Sequence, residues 1–195
     1  LLAGALREQG RFAEAHALTN PLAQAHPNWA GAVFEHGIVL AGLQRHAEAL
    51  DAYHQVEKLG PLPGLWREIG DQLWAMGDNA RAEGAYLRHL SSNAPEPIMH
   101  EAFAALHAGD RAHGEAALRR QLARHPGDVL AMRFLAEQLS AVDRYEEAEA
   151  LLRACLARVP SFALARFGLA MVLVHDHRVP PAIEQLDALL QREPD

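Results

Sequence analysis

Twelve histidines make metal binding and acid–base catalysis the first chemistry to consider in this chain. The densest group is His175-Asp176-His177, in which two imidazoles share a short segment just before Pro180. Imidazole nitrogens are common ligands of zinc and other transition metals, but a zinc site needs three or four ligands at a regular spacing. No cysteine and no further histidine cluster stands at such a spacing. We therefore predict a solvated turn here and no metal site.

Two other patterns that resemble catalytic motifs lack essential parts. Ser91 and Ser92 lie close to His89, but they form a predicted helix end without the strand-borne turn and the acidic partner that an activated serine needs. The segment 60–64 reads Gly-Pro-Leu-Pro-Gly and lacks the Lys and the Ser or Thr that follow in a phosphate-binding loop. We predict no catalytic residue, no bound cofactor and no enzymatic activity.

Composition and charge narrow the classes of partner. The net charge is -7 and the acidic and basic residues are scattered, so no basic surface for nucleic acid is expected. The longest apolar run, 167–174, is far shorter than the roughly 20 residues that a membrane span requires. The single cysteine, Cys155, forms no internal disulfide and leaves the compartment open between cytoplasm and periplasm. A composition rich in Ala, Arg and His but poor in Lys is typical of bacteria with GC-rich genomes.

Small residues recur along the whole chain at a nearly constant interval. One series of Ala and Gly is spaced by 34, 33, 32, 34 and 34 residues, and a second series stands twelve positions before it. A proline follows the first series after twelve or thirteen positions. We call these twelve positions the landmarks: Ala15, Ala49, Ala82, Gly114, Ala148 and Ala182, preceded by Ala3, Gly37, Gly70, Ala102, Ala136 and Ala170.

This period predicts a stack of helical hairpins. Two helices of about 14 residues and two short turns fill such a period, and a small side chain at each crossing lets the two backbones approach closely. Large residues four positions after the second landmark of each repeat fill the space between hairpins, as at Tyr53 and Tyr86. Cys155 falls on the inner face of a second helix, where we expect a buried filler. Gly10, Gly77 and Gly109 mark the turns inside the hairpins.

The arrangement resembles the tetratricopeptide repeat (TPR) family, whose consensus combines a tryptophan, two small residues, an aromatic residue and a terminal proline. One copy contains all of these except the proline at its usual place: Trp66, Gly70, Gly77, Ala82 and Tyr86. The resemblance implies an all-α, right-handed superhelical solenoid of about six hairpins in one domain, 1–195. The predicted repeats are 1–28, 29–62, 63–95, 96–128, 129–162 and 163–195.

Three features depart from a regular stack. Pro21 lies inside the predicted second helix, where we expect it to kink or break that helix. Two prolines in the joint between Ser91 and Pro97 leave the register of the fourth repeat open. The chain begins at Leu1 within a helical pattern and ends without a polar closing helix, so we expect it to be a fragment of a longer protein.

The resemblance also implies a concave groove, lined mainly by the first helix of each hairpin, that binds a peptide or protein. Arg67 with Asp71, and Arg133 with Glu137, are spaced as ion pairs within one helix. TPR domains that bind the C-terminal carboxylate of a partner use paired Lys and Asn at these groove positions. No Asn occurs at them here, so such a clamp is not expected. Trp74 is either a binding anchor or a packing residue. The predicted groove residues are Phe34, Ile38, Arg67, Asp71, Trp74, Phe103, His107, Arg133, Glu137, Phe167 and Met171, with Ser140, Val174 and His175 beside them.

Two functions remain open from the sequence. The first is a protein-interaction scaffold that holds a partner in the groove. The second is a substrate-recruiting arm of a larger bacterial enzyme, such as a glycosyltransferase, a sulfotransferase or an oxygenase. Phe167, Met171 and Val174 also predict an apolar groove near the C-terminus that is covered by further chain or by a second copy in a homo-oligomer.

Overall fold

The computed structural model describes residues 2–60, 62–91 and 96–191, and this part of the chain consists of α-helices and short connections without a strand. The first compact unit spans Leu1–Ala94. Its helices are α1 (Leu2–Glu8), α2 (Phe12–Ala25), α3 (Ala30–Gly42), α4 (His46–Leu59), α5 (Leu65–Ala75) and α6 (Asn79–Ser91).

The second compact unit spans Pro95–Asp195 and repeats the same pattern. Each odd-numbered helix packs on the even-numbered helix that follows it, and in all hairpins except the first, which contains the short helix α1, this pair has the most extensive contacts. The predicted all-α fold of helical hairpins is therefore confirmed. The helices of this unit are α7 (Pro97–His107), α8 (Arg111–Arg124), α9 (Val129–Ser140), α10 (Tyr145–Arg158), α11 (Ala163–His175) and α12 (Val179–Leu190).

The landmarks lie where the two helices of each hairpin meet. Eleven of the twelve are buried, and only Ala3, in α1, is half-buried. Tyr53 and Tyr86 are fully buried at 0% exposure. Tyr53 packs against Gly37, Tyr86 against Gly70 and Leu106 against Gly114, in each case from the other helix of the hairpin, which is the close packing that the period predicts.

A left-handed turn residue occurs inside every hairpin, and glycine occupies only half of these positions. Left-handed backbone is expected at glycine and tolerated by Asn, Asp and a few other residues. The prediction that glycines mark the inner turns was therefore correct but incomplete. The six positions are Gly10 (φ 74°), Gln44 (59°), Gly77 (79°), Gly109 (82°), Asp143 (61°) and His177 (58°).

Pro21 does not break its helix. The helix α2 continues from Phe12 to Ala25 with Pro21 inside it, so of the predicted kink or break, the break does not occur. A proline here removes the hydrogen bond to the carbonyl of Ala17. Both Pro21 and Ala17 are exposed, so water can bond to that carbonyl and the cost of the missing bond is reduced.

The fourth repeat begins in regular register. Pro97 stands in the first turn of α7, where its missing N–H is not needed and its fixed φ suits a helix start. The landmarks Ala102 and Gly114 are both buried. Residues 92–95 of the preceding joint lie outside the described residues.

Exposed arginines connect successive hairpins. Arg144, just before α10, lies 3.0 Å from Glu115 of α8, and Arg178, just before α12, lies 2.5 Å from Glu149 of α10. Each such pair is worth at most about 1 kcal/mol at the surface. None of the helices in the described residues has the length and the apolar character needed to cross a bilayer.

Candidate functional site

A groove of about 620 Å³ lies between α9, α10 and α11 of the second unit. Its volume falls within the range of roughly 300–1,000 Å³ that is typical of ligand pockets. Small and charged side chains of α9 form one wall and larger apolar side chains of α11 form the other. The lining residues are Arg133, Ala136, Glu137, Ser140, Ala141, Asp143, Tyr145, Leu152, Leu164, Phe167, Gly168, Met171, Val172 and His175.

The apolar wall is a row of three large side chains on α11. Leu164, Phe167 and Met171 are 60%, 51% and 37% exposed. Their spacing of three and four residues places them on one face of the helix. The opposite face holds Leu169 and Leu173, which are almost completely buried. Phe167 and Met171 are therefore outside the hydrophobic interior of the sixth hairpin.

Arg133 and Glu137 lie on the facing helix, α9, as the predicted ion pair. Nη1 of Arg133 donates to Oε2 of Glu137 at 3.4 Å. The Arg133 guanidinium also lies over the ring of Phe134, 3.9 Å from its centroid. The Arg133 side chain is only 19% exposed whereas the Glu137 side chain is 60% exposed. Glu137 is thus much more accessible to a ligand than Arg133.

The end of the groove is formed by Asp143, Tyr145 and His175. The Tyr145 hydroxyl donates a hydrogen bond to the Asp143 carboxylate, which raises the pKa of the phenol. The Tyr145 ring stacks on the His175 ring, with centroids 6.2 Å apart and planes inclined by 9°. These contacts hold an acidic and an aromatic group beside the apolar wall.

The predicted residues of the fourth repeat lie on α7. Phe103 is half-buried, and its ring meets that of Phe134 edge to face with centroids 4.6 Å apart. His107 is exposed at the end of α7. Phe103 packs against Phe134, and the Phe134 ring in turn contacts the Arg133 guanidinium.

In the first unit, the predicted residues lie on α3 and α5. Phe34 and Ile38 are half-buried, and the Phe34 ring lies 5.7 Å from that of Tyr53. Asp71 accepts a hydrogen bond of 2.7 Å from the Tyr86 hydroxyl, and Trp74 is half-buried.

Arg67 lies in the interior of the first unit. It is 2% exposed and donates to Glu68 at 3.0 Å. A ligand cannot reach this guanidinium without displacing the packing around it. This burial corrects the placement of Arg67 among groove residues. The ion pair that the structure shows is with Glu68, and the predicted pair with Asp71 stays a prediction.

The structure thus brings Arg133, Glu137, Phe167 and Met171 together, although 34 residues separate the two pairs. Sequence reasoning about first helices missed Asp143, which lies in an inner turn, and Tyr145, which begins a second helix. Asp143 stands one period before His177 and one after Gly109, so the repeat of turn positions is the signal that identifies it.

The paired helices and their repeated small residues define a helical-repeat protein, and two family models identify its type. One model described as tetratricopeptide repeat matches residues 1–62, and another with the same description matches residues 139–195. The matches together cover more than half of the chain. The chain belongs to the tetratricopeptide repeat family.

The solved structures to which the chain is similar are distant in sequence. YrrB, described as a TPR protein with an unusual peptide-binding site, is 17% identical, with 99% of this chain and 84% of that chain covered and a TM-score of 0.42. MamA from Desulfovibrio magneticus RS-1 is 15% identical over 99% of this chain and 92% of its own, with a TM-score of 0.47. The TPR domain of P58(IPK) is 17% identical over 100% of this chain and 59% of its own, with a TM-score of 0.49. The search of curated proteins returned no match.

Proposed function

We propose that this chain is a protein-interaction scaffold and that the groove between α9, α10 and α11 binds a peptide segment of a partner protein. The observation that carries the proposal is the row formed by Leu164, Phe167 and Met171, which is exposed along a groove and not scattered over the surface. Contiguous exposed apolar surface of this kind is typical of interaction sites. The proposal requires no catalytic residue.

The groove has the properties of a peptide site in both shape and chemistry. Its facing wall presents Ala136, Ser140 and Ala141, whose small side chains leave room for side chains of a ligand. Desolvating Phe167 and Met171 provides the favourable free energy, and polar groups at the edge orient the segment. The predicted groove residues Phe34, Ile38, Asp71 and Trp74 of the first unit remain proposed contacts for a partner that binds that unit.

The test selects ligands from a phage-displayed library of random 12-residue peptides and measures their affinity by fluorescence anisotropy. Phe167→Glu is expected to weaken the binding of the selected peptides at least about tenfold, because it places a charge against their apolar residues. Phe167 is 51% exposed, so the fold should remain intact, as judged by circular dichroism.

Ile183→Glu is the matched control. Ile183 is also 51% exposed, but it lies on α12 and does not line the groove. This variant should retain wild-type affinity. Equal affinity of wild type and Phe167→Glu would contradict the proposal, as would equal losses in both variants.

The alternative occupant of the groove is a second copy of this chain. Such self-association predicts a mass that doubles with concentration in light scattering and returns to that of a monomer in Phe167→Glu. A monomeric wild type that binds selected peptides supports the peptide site.

A further inference from the structure

The charged groups of the groove differ in how accessible they are. Arg133 is the lining residue with a permanent positive charge, and its guanidinium is already in contact with Phe134 and Glu137. Glu137 and Asp143 are both exposed, and each presents a carboxylate to solvent. A ligand in the groove therefore meets negative charge more readily than positive charge.

The surface next to the groove also carries acidic side chains, of which Glu147 pairs with Arg119 and Arg144, and Asp176 pairs with Arg178. Asp143 and Tyr145 also line an adjoining shallow depression, together with Glu146, Glu147 and Asp176. The arginine there, Arg144, is engaged by two carboxylates, at 2.5 Å from Glu147 and 3.0 Å from Glu115.

From this arrangement we infer that the groove selects a cationic-apolar segment, in which a bulky apolar side chain is flanked by Lys or Arg. This inference rests on the proposed peptide site and specifies its ligand. The apolar side chain packs on Leu164, Phe167 and Met171, while the flanking cations pair with Glu137 and Asp143. An acidic segment or a terminal carboxylate would have to displace Glu137 from Arg133, and it would be repelled by both carboxylates.

Tyr145 orients the Asp143 carboxylate at the acidic end of the groove. Its hydroxyl donates to Asp143 and its ring is held against His175, so the carboxylate is oriented before a ligand arrives. A group that is already ordered loses less conformational freedom on binding.

The experiment compares peptides selected from the 12-residue library on the wild type and on the double variant Glu137→Gln, Asp143→Asn. Both substitutions preserve side-chain shape, and Asn tolerates the left-handed backbone at position 143. Peptides enriched on the wild type should combine bulky apolar residues with a positive net charge. The double variant should enrich the same apolar residues without the positive charge.

Affinities of the best wild-type peptide supply the quantitative test. Replacing its Lys and Arg by Gln should weaken binding to the wild type about three- to tenfold, as expected for one or two exposed ion pairs. The same replacement should leave binding to the double variant unchanged. On the wild type, the difference in affinity between the cationic peptide and its Gln-substituted form should shrink at high salt, because exposed charges are screened.

A second double variant, Asp51→Asn with Glu184→Gln, controls for the overall net charge of -7. Both residues are exposed and lie outside the groove, on α4 and α12. This variant should keep the wild-type preference for cations. Loss of the preference here would show that net charge is responsible and would overturn the inference.

The outcomes separate this inference from the proposed function. Neutral or acidic peptides whose binding depends on Phe167 would overturn the inference and leave the peptide site standing. Peptides whose binding does not depend on Phe167 would overturn both. Cationic-apolar peptides that require Phe167, Glu137 and Asp143 support both.

Discussion

The ring of Tyr53 lies directly against the backbone of Gly37. A β-carbon at position 37 would be 2.5 Å from Cε1 of Tyr53, well inside van der Waals contact. Tyr86 and Gly70 repeat this relationship, with a corresponding distance of 2.6 Å. Tyr53 cannot easily move aside, because it is completely buried and its hydroxyl donates to Glu68 at 3.3 Å.

Replacing Gly37 by Ala is therefore expected to destabilise the protein. Overpacking of a buried site costs about 1–3 kcal/mol, and the better helix propensity of Ala offsets at most about 1 kcal/mol of this. Gly84→Ala is the matched control, because Gly84 lies in α6 with open space around its Cα, and it should raise the free energy of unfolding. Urea denaturation measures the free energy of unfolding of both variants. Equal values would show that the Tyr53 ring moves to make room for the added methyl group.

The pairing of residue sizes can be tested by a double-mutant cycle. Sixteen residues separate Gly37 from Tyr53, and the equivalent pair in the fourth hairpin is Ala102 with Leu118. Tyr53→Leu should cost less free energy in the Gly37→Ala background than in the wild type, by about 1 kcal/mol or more. Additive effects would mean that the two side chains do not compete for the same space.

A pair of histidines makes the joint between the first two hairpins sensitive to pH. The rings of His16 and His36 are 5.3 Å apart, and Nε2 of His16 lies 3.0 Å from Arg45. Burial lowers the pKa of His36, and the nearby His16 and Arg45 lower it further, while Glu48 opposes them.

The sign of the pH effect follows from this direction. Because the pKa of His36 in the folded protein lies below its ordinary value of 6.5, unfolding near that pH takes up a proton. Stability is therefore complete above that value and falls as the pH decreases through it. Nδ1 of His36 lies 3.1 Å from Oγ1 of Thr19. Melting temperatures should drop between about pH 7.5 and pH 5.5, and drop less in His36→Gln, where the amide can still bond to Thr19. His26→Gln, at an exposed position, should behave like the wild type. A His36→Gln variant with the wild-type pH dependence would assign the effect to other groups.

Cys155 should be unreactive in the folded protein. It is 0% exposed, its thiol lies 3.5 Å from the carbonyl oxygen of Val129, and burial raises the pKa of the thiol to about 12. Only about one thiol in ten thousand is then ionised at pH 8, and the thiolate is the reactive form. A colorimetric disulfide reagent should detect no thiol until denaturant is added. Rapid labelling of the native protein would contradict the buried placement.

Trp74→Ala should weaken the binding of a partner that contacts the first unit by more than about 1 kcal/mol. Helicity should be unchanged. Trp66→Ala is the control, since Trp66 lies on the same helix but is covered by Arg88 at 4.5 Å. An unchanged affinity with a lowered melting temperature would assign Trp74 to packing.

The amino-acid sequence by itself determined the helical hairpins of this protein. Close helix packing requires small residues at the crossings, so the landmarks recur at the period of the structural unit and can be read without coordinates. The same local physics placed Cys155 in the interior. Of the kink or break predicted at Pro21, the break does not occur, because the cost of a missing hydrogen bond depends on whether water reaches the carbonyl, which is a property of the folded surface.

Only the tertiary structure decided which side chains form the groove. Arg67 and Arg133 occupy similar positions in their helices, but one is buried beside Glu68 and the other borders an open groove. Exposure of this kind depends on what neighbouring helices place opposite a residue, and a single-helix pattern does not contain that information. Asp143 and Tyr145 join Phe167 for the same reason: residues from different hairpins become neighbours only when the hairpins pack against each other.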